Sequence, residues 1–118
     1  MTGFLMSFVH AGRGLVFGVR GGRNMQVMLA VAVCALVAGL TLGIDAGQWC
    51  AVTIVMGLVL AVELVNTAGE GLVDILCPEH DPRYGRVKDL LAAASLIAAI
   101  AAAIVGMVVF LPLVLERI

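Results

Sequence analysis

Charge is scarce in this chain. Of its 118 residues, 13% are Asp, Glu, Lys or Arg, where a soluble domain carries roughly 25%. Seven basic residues at a net charge of −1 leave no basic surface for the phosphates of a nucleic acid, which excludes a nucleic-acid binder. Cysteine is scarce too. Cys34, Cys50 and Cys77 are odd in number and form no CxxC, and the first two read as packing residues in or beside apolar runs. Cys77 and His80 make half a zinc site with no second ligand pair. No GxxxxGK[ST] occurs, and the glycines between Gly12 and Gly22 follow no strand, so neither a P-loop nor a dinucleotide fingerprint is present.

Apolar residues, by contrast, make up 63%, more than one core of this size can hide. Three runs carry no charge: Asn24–Ile44, Ala46–Val62 and Leu90–Leu115, of 21, 17 and 26 residues. A bilayer-crossing helix needs about 20. The middle run reaches that length if it continues past Glu63 with its polar side chains turned toward other helices. The chain therefore reads as one all-α integral membrane domain over residues 1–118, with transmembrane helices over about 24–44, 48–76 and 89–115. A removable signal peptide does not fit, because the first run follows 23 residues with three arginines and two further spans come after it.

Lys and Arg mark the cytoplasmic side. Arg13, Arg20 and Arg23 precede the first span, and Arg83, Arg86 and Lys88 lie between the second and third, whereas the first linker carries only Asp45. The N-terminus and second linker thus face the cytoplasm. Residues 4–22 mix Phe4, Leu5, Phe8 and Phe17 with His10, Arg13 and Arg20, the pattern of an amphipathic helix lying in the membrane interface. Its glycines weaken that helix and admit close neighbours, and a break is expected at Gly21–Gly22.

The second span carries the chemistry. At 100° per residue, Asn66, Glu70 and Asp74 fall within about 80° of arc from Glu63, along roughly 16 Å of helix. Leu64, Leu72, Val73 and Ile75 point elsewhere. A carboxylate at membrane depth is costly unless paired, hydrated or protonated, so a stack of them points to function rather than packing. Hard oxygen donors suit magnesium, which takes one or two carboxylates and fills its shell with water and phosphate. In the following linker, Pro78 ends the span and Pro82 keeps the loop from becoming helical. Lys88 reads as a positive-inside anchor or a phosphate contact. Asp89 reads as the cap that opens the third span, or as a group positioning a phosphate or metal.

These segments resemble the prokaryotic diacylglycerol kinase family, which includes undecaprenol kinases. The resemblance is carried by Glu63-Leu-Val-Asn66-Thr67-Ala68-Gly69-Glu70-Gly-Leu-Val-Asp74, Pro78-Glu79-His80-Asp81-Pro82 and Lys88-Asp89-Leu-Leu-Ala92-Ala93. The N-terminal Ser7-Phe8-x-x-Ala11-x-x-Gly14-Leu15 and Arg23-Asn24-Met25 are similar to the family as well. The resemblance implies a homotrimer in the bacterial inner membrane, with composite active sites between subunits near the cytoplasmic surface. It implies Glu63 as proton acceptor for a lipid hydroxyl and Glu70 as a ligand of Mg2+ accompanying ATP; the row itself adds Asn66, placed to orient Glu63 or donate to the γ-phosphate, and Asp74 as a second oxygen ligand for the metal. His10, Glu70, Glu79, His80, Asp81, Lys88 and Asp89 match positions at the nucleotide, and Asn24, Met28 and Ala92 match positions on the lipid side. Two departures stand out. Many members carry a metal-binding glutamate where this chain has Gly22, and Gly69 replaces a bulky aliphatic residue.

The physics is consistent with that assignment. Phosphoryl transfer needs alignment, charge neutralisation and a proton acceptor, and the row offers these in depth order, with Glu63 at the apolar edge where a lipid hydroxyl arrives. The family's general name favours diacylglycerol as acceptor, with undecaprenol as the alternative. A small ion-coupled transporter subunit would account for the acids of the second span but not for the loop or Lys88-Asp89. A non-catalytic assembly subunit would leave the acids with only a packing role.

Overall fold

A computed structural model describes residues 2–79 and 81–118. Four helices follow in order: α1 (Thr2–Gly21), α2 (Arg23–Leu42), α3 (Ala46–Leu76) and α4 (Pro82–Glu116). His80, expected at the nucleotide, lies outside the described residues.

Each boundary has a local cause. Gly22 adopts an extended conformation (φ −144°, ψ 133°) and separates α1 from α2, at the expected break. The Gln26 side chain reaches back across it, its Nε2 donating to the Val19 carbonyl at 2.9 Å, and so satisfies one of the carbonyls left free at the end of α1. Gly43 ends α2 with φ +70°, a left-handed conformation that a side chain would strain, and its N–H donates to the Gly39 carbonyl at 3.0 Å. Asp45 and Gln48 then start α3 through a reciprocal capping box, with hydrogen bonds of 2.8 and 3.0 Å. Of Gly39 and Gly43, spaced as a small-residue helix-contact pair, only Gly39 serves a close contact. A Cβ there would come within 2.7 Å of the Trp49 ring, whereas Gly43 faces open space.

The start of α4 differs from the sequence expectation. Asp81 is the N-cap, its Oδ1 accepting from the Arg83 N–H at 2.9 Å, and Pro82 is the first helical residue. Proline suits that position because its fixed φ is helical and no N–H is needed there. Pro82 therefore begins the helix rather than prolonging the loop, and Asp89 sits two turns inside α4 instead of opening it.

Packing is concentrated between the antiparallel α3 and α4, with α2 against α3 and α1 resting on α2 and α3. Ile44, Val52 and Val109 form the buried cluster at the end away from the α3–α4 linker, supported by Trp49, Phe110 and Leu113. The exterior is apolar: Leu40, Ile54 and Val108 are 74%, 71% and 69% exposed. Three helices, α2, α3 and α4, are long and apolar enough to cross a membrane, where every backbone group of a helix is satisfied internally and an oily exterior is well solvated. At 1.5 Å per residue, α2 measures about 30 Å, while α3 and α4 measure about 46 and 52 Å. A hydrocarbon core is about 30 Å thick, so the two long helices extend well beyond it.

Candidate active site

The polar row of α3 is built as its periodicity predicts. Val52, Val55 and Val59 are buried on the stripe that continues into Glu63 and Asn66, which are 3% and 7% exposed. Glu70 is half-buried and Asp74 exposed. The carboxylates thus pass from enclosure to solvent along one helix face toward the second linker. Val73, expected to point away, is also buried and forms the edge of this face.

Three contacts lace α3 to α4 in antiparallel order. Ser95 Oγ donates to Glu63 Oε2 at 2.8 Å. Next, Leu91 fills the space over Gly69, where a Cβ would lie 2.5 Å from Leu91 Cδ1. The bulk missing at Gly69 is therefore supplied from the facing helix. Finally, the Lys88 ammonium pairs with Asp74, within the field of Glu70. Lys88 thus neutralises Asp74 at the exposed end of the row.

Asn66 Oδ1 is buried and takes no hydrogen bond from the described residues. A buried acceptor without a donor is uncommon in a folded protein, and this one lies a turn from Glu63. Sequence reasoning missed Ser95. Its signal was a lone hydroxyl in an alanine-rich span, visible only after the hairpin is aligned from its linker end.

Among the described residues, no three His, Cys, Asp or Glu side chains converge as a metal cage. Glu70 has no hydrogen bond or ion pair with them, and Asp74 is shared with Lys88. This oxygen-only donor set fits a magnesium ion that draws most of its shell from water and phosphate.

The remaining sequence candidates are dispersed. α1 lies close to α3 at the residue after Glu63, where a Cβ on Gly18 would lie 2.6 Å from Leu64 Cδ2. His10 is exposed on this helix, and Gly12 and Gly14 face open space. Glu79 is exposed in the linker, its carbonyl accepting from Cys77 Sγ at 2.9 Å. Asp81 also forms an ion pair with Arg83 at 2.9 Å, and the Arg83 side chain and backbone hold its carboxyl below the usual carboxylate range. Asp89, Asn24 and Ala92 are exposed. Among the described residues, none of His10, Asn24, Glu79 or Asp89 is joined to the α3 row by a hydrogen bond or ion pair. Met28 lines an apolar cavity of about 510 Å³ between α2, α3 and α4, which reaches Val59, one turn from Glu63.

The profile of the prokaryotic diacylglycerol kinase family matches residues 9–110. An undecaprenol kinase of Bacillus subtilis (strain 168) is 36% identical over 109 residues, which span 92% of this chain and 89% of that protein. A diacylglycerol kinase of Synechocystis sp. is 33% identical over 92% of this chain but only 62% of its own length. With a buried glutamate at the head of an acidic row on a membrane-spanning helix, and with these relatives, the chain belongs to the prokaryotic diacylglycerol kinase family, a family of lipid kinases.

Proposed function

We propose that this chain transfers the γ-phosphate of ATP to the hydroxyl of undecaprenol at the cytoplasmic face of a bacterial membrane. The observation that carries the reaction is the enclosure of Glu63, 3% exposed, at the apolar end of a row that opens to solvent at Asp74. The choice of acceptor follows the B. subtilis undecaprenol kinase, whose length this chain nearly matches. That outweighs the preference for diacylglycerol drawn from the family's general name.

In this reading the lipid hydroxyl donates its proton to Glu63 as its oxygen attacks the γ-phosphorus, and the bond to the bridging oxygen breaks to release ADP. Glu63 is the most enclosed acid on α3, which supports a proton transfer kept away from bulk water. Glu70, with Asp74, would hold a magnesium ion, which when bound offsets phosphate charge. Lys88, at the solvent end, exchanges Asp74 for a phosphate oxygen when nucleotide arrives and fixes the polyphosphate by charge-assisted hydrogen bonds. Asn66 turns its side chain to the lipid hydroxyl or to the γ-phosphate.

A single subunit of four helices, with His10, Asn24 and Asp89 exposed and apart from the row, encloses neither nucleotide nor lipid. The proposal therefore includes a homotrimer in which α1 and α2 of one subunit complete the site on α3 and α4 of another, with α1 lying in the membrane interface. Purified protein in bicelles with ATP and magnesium is tested with undecaprenol and with diacylglycerol. ADP release matching undecaprenyl phosphate formation, at a kcat/KM at least tenfold above that for diacylglycerol, is expected. The reverse ratio assigns the chain to diacylglycerol, and no turnover with either lipid overturns the reading.

A further inference from the structure

Ser95 carries the only hydroxyl in the 26-residue run Leu90–Leu115. It lies outside the motifs that carry the family resemblance, which end at Ala93. A serine inside a helix commonly bonds back to the carbonyl four residues earlier. Here Oγ instead donates across the helix pair, at 2.8 Å, to Glu63 Oε2, and the carboxylate that receives it is almost fully enclosed.

We propose that Ser95 is a positioning residue for Glu63, holding one carboxylate oxygen so that the other is presented to the lipid hydroxyl. This rests on the assignment of Glu63 as proton acceptor. The terminal torsion of a glutamate is broad and close to twofold, so enclosure alone does not fix the plane of its carboxylate. A hydrogen bond to one oxygen does. The donor's origin matters as much as its distance. Ser95 belongs to α4, the helix that also carries Lys88, and Lys88 pairs with Asp74 on α3. The proton acceptor and the phosphate-binding cation are thereby registered to each other at two points along the same hairpin. A hydroxyl suits this position because it directs the carboxylate without neutralising it, as an ammonium would. Among the described residues Oε1 takes no hydrogen bond, which leaves that oxygen free for the substrate.

The test compares Ser95→Ala, Ser95→Thr and Ser95→Val in bicelles with ATP, magnesium and undecaprenol. Threonine and valine have nearly the same shape and differ in the hydroxyl, so they remain informative if Ser95→Ala fails to fold. Ser95→Ala and Ser95→Val are expected to lower kcat about tenfold, as for a misplaced catalytic group, with the KM for ATP and for lipid within about twofold of the parent. Ser95→Thr is expected to restore kcat to within about threefold. In a Glu63→Gln background, Ser95→Ala should cause no further loss, because its effect passes through the missing carboxylate. Unchanged kcat in both Ser95→Ala and Ser95→Val beside an impaired Glu63→Gln overturns the positioning role and leaves the role of Glu63 intact. Multiplicative losses in the double variant, or a rise in both KM values, overturn it as well, since they report a packing role. Full activity in Glu63→Gln removes the role of Glu63 itself, and the proposal falls with it.

Discussion

Glu63 and Glu70 stand two turns apart on one helix and occupy different media, one enclosed and one half in solvent. Their loss should read out differently. Glu63→Gln keeps the shape and removes the proposed proton acceptor, so turnover should fall by at least ~10²-fold while ATP still binds. Glu70→Gln should instead raise the magnesium concentration needed for half-maximal rate, and an unchanged magnesium curve would remove Glu70 as a ligand. At this scale the sequence was informative where one helix decides. A period of 3.6 residues was enough to place Glu63, Asn66, Glu70 and Asp74 on a common face. Contacts between helices were not legible, because Ser95 meets Glu63 only after a hairpin brings together residues 32 apart.

Helix pairs obey a different constraint, which is volume. Gly69 and Leu91 form one packed unit across α3 and α4. Gly69→Leu alone should destabilise the helix pair by about 1–3 kcal/mol through overpacking. Adding Leu91→Ala should recover most of that loss, as measured by thermal unfolding in detergent. Two losses that merely add would show that the residues do not share this space. The start of α4 responds to pH. The Asp81 carboxyl is held below its ordinary value by Arg83, so the ionised form is favoured in the folded state. Its contribution is complete above the usual carboxylate range and fades as pH falls through the lowered pKa. Amide exchange at Arg83–Gly85 should accelerate over that interval, and Asp81→Ala should remove the pH dependence. This end of α4 was misread from sequence because proline was weighed as a breaker. The Asp81-Pro82 pair is a start signal, and the residue before the proline decides between the two.

For the whole molecule, the three membrane-crossing helices were legible from uncharged run length alone, because a bilayer leaves few alternatives to a long apolar helix. Whether a second copy completes the site was not, since an exterior of leucine, isoleucine and valine suits lipid and a second copy equally. The proposed composite site makes a specific prediction. Subunits with His10→Ala and subunits with Glu63→Gln should each be nearly inactive, yet mixed trimers should regain a measurable fraction of activity, because some sites then receive an intact α1 and an intact α3. Recovery no greater than the sum of the separate residues' activities would place the whole site within one chain.

The surplus length of α3 has a consequence for where the proposed reaction would sit. Glu63 lies about 26 Å along the helix from Ala46, at 1.5 Å per residue, so with Ala46 at the outer edge of an average hydrocarbon core it would sit only a few ångströms inside the opposite edge. Membrane thickness should therefore act as a dial on the proposed reaction. Short-chain lipids would lift the glutamate toward the headgroups and admit water. Long-chain lipids would submerge it below the plane where a lipid alcohol can meet a nucleotide. Turnover should pass through a maximum as acyl length is varied, and the position of that maximum measures the depth of Glu63 directly.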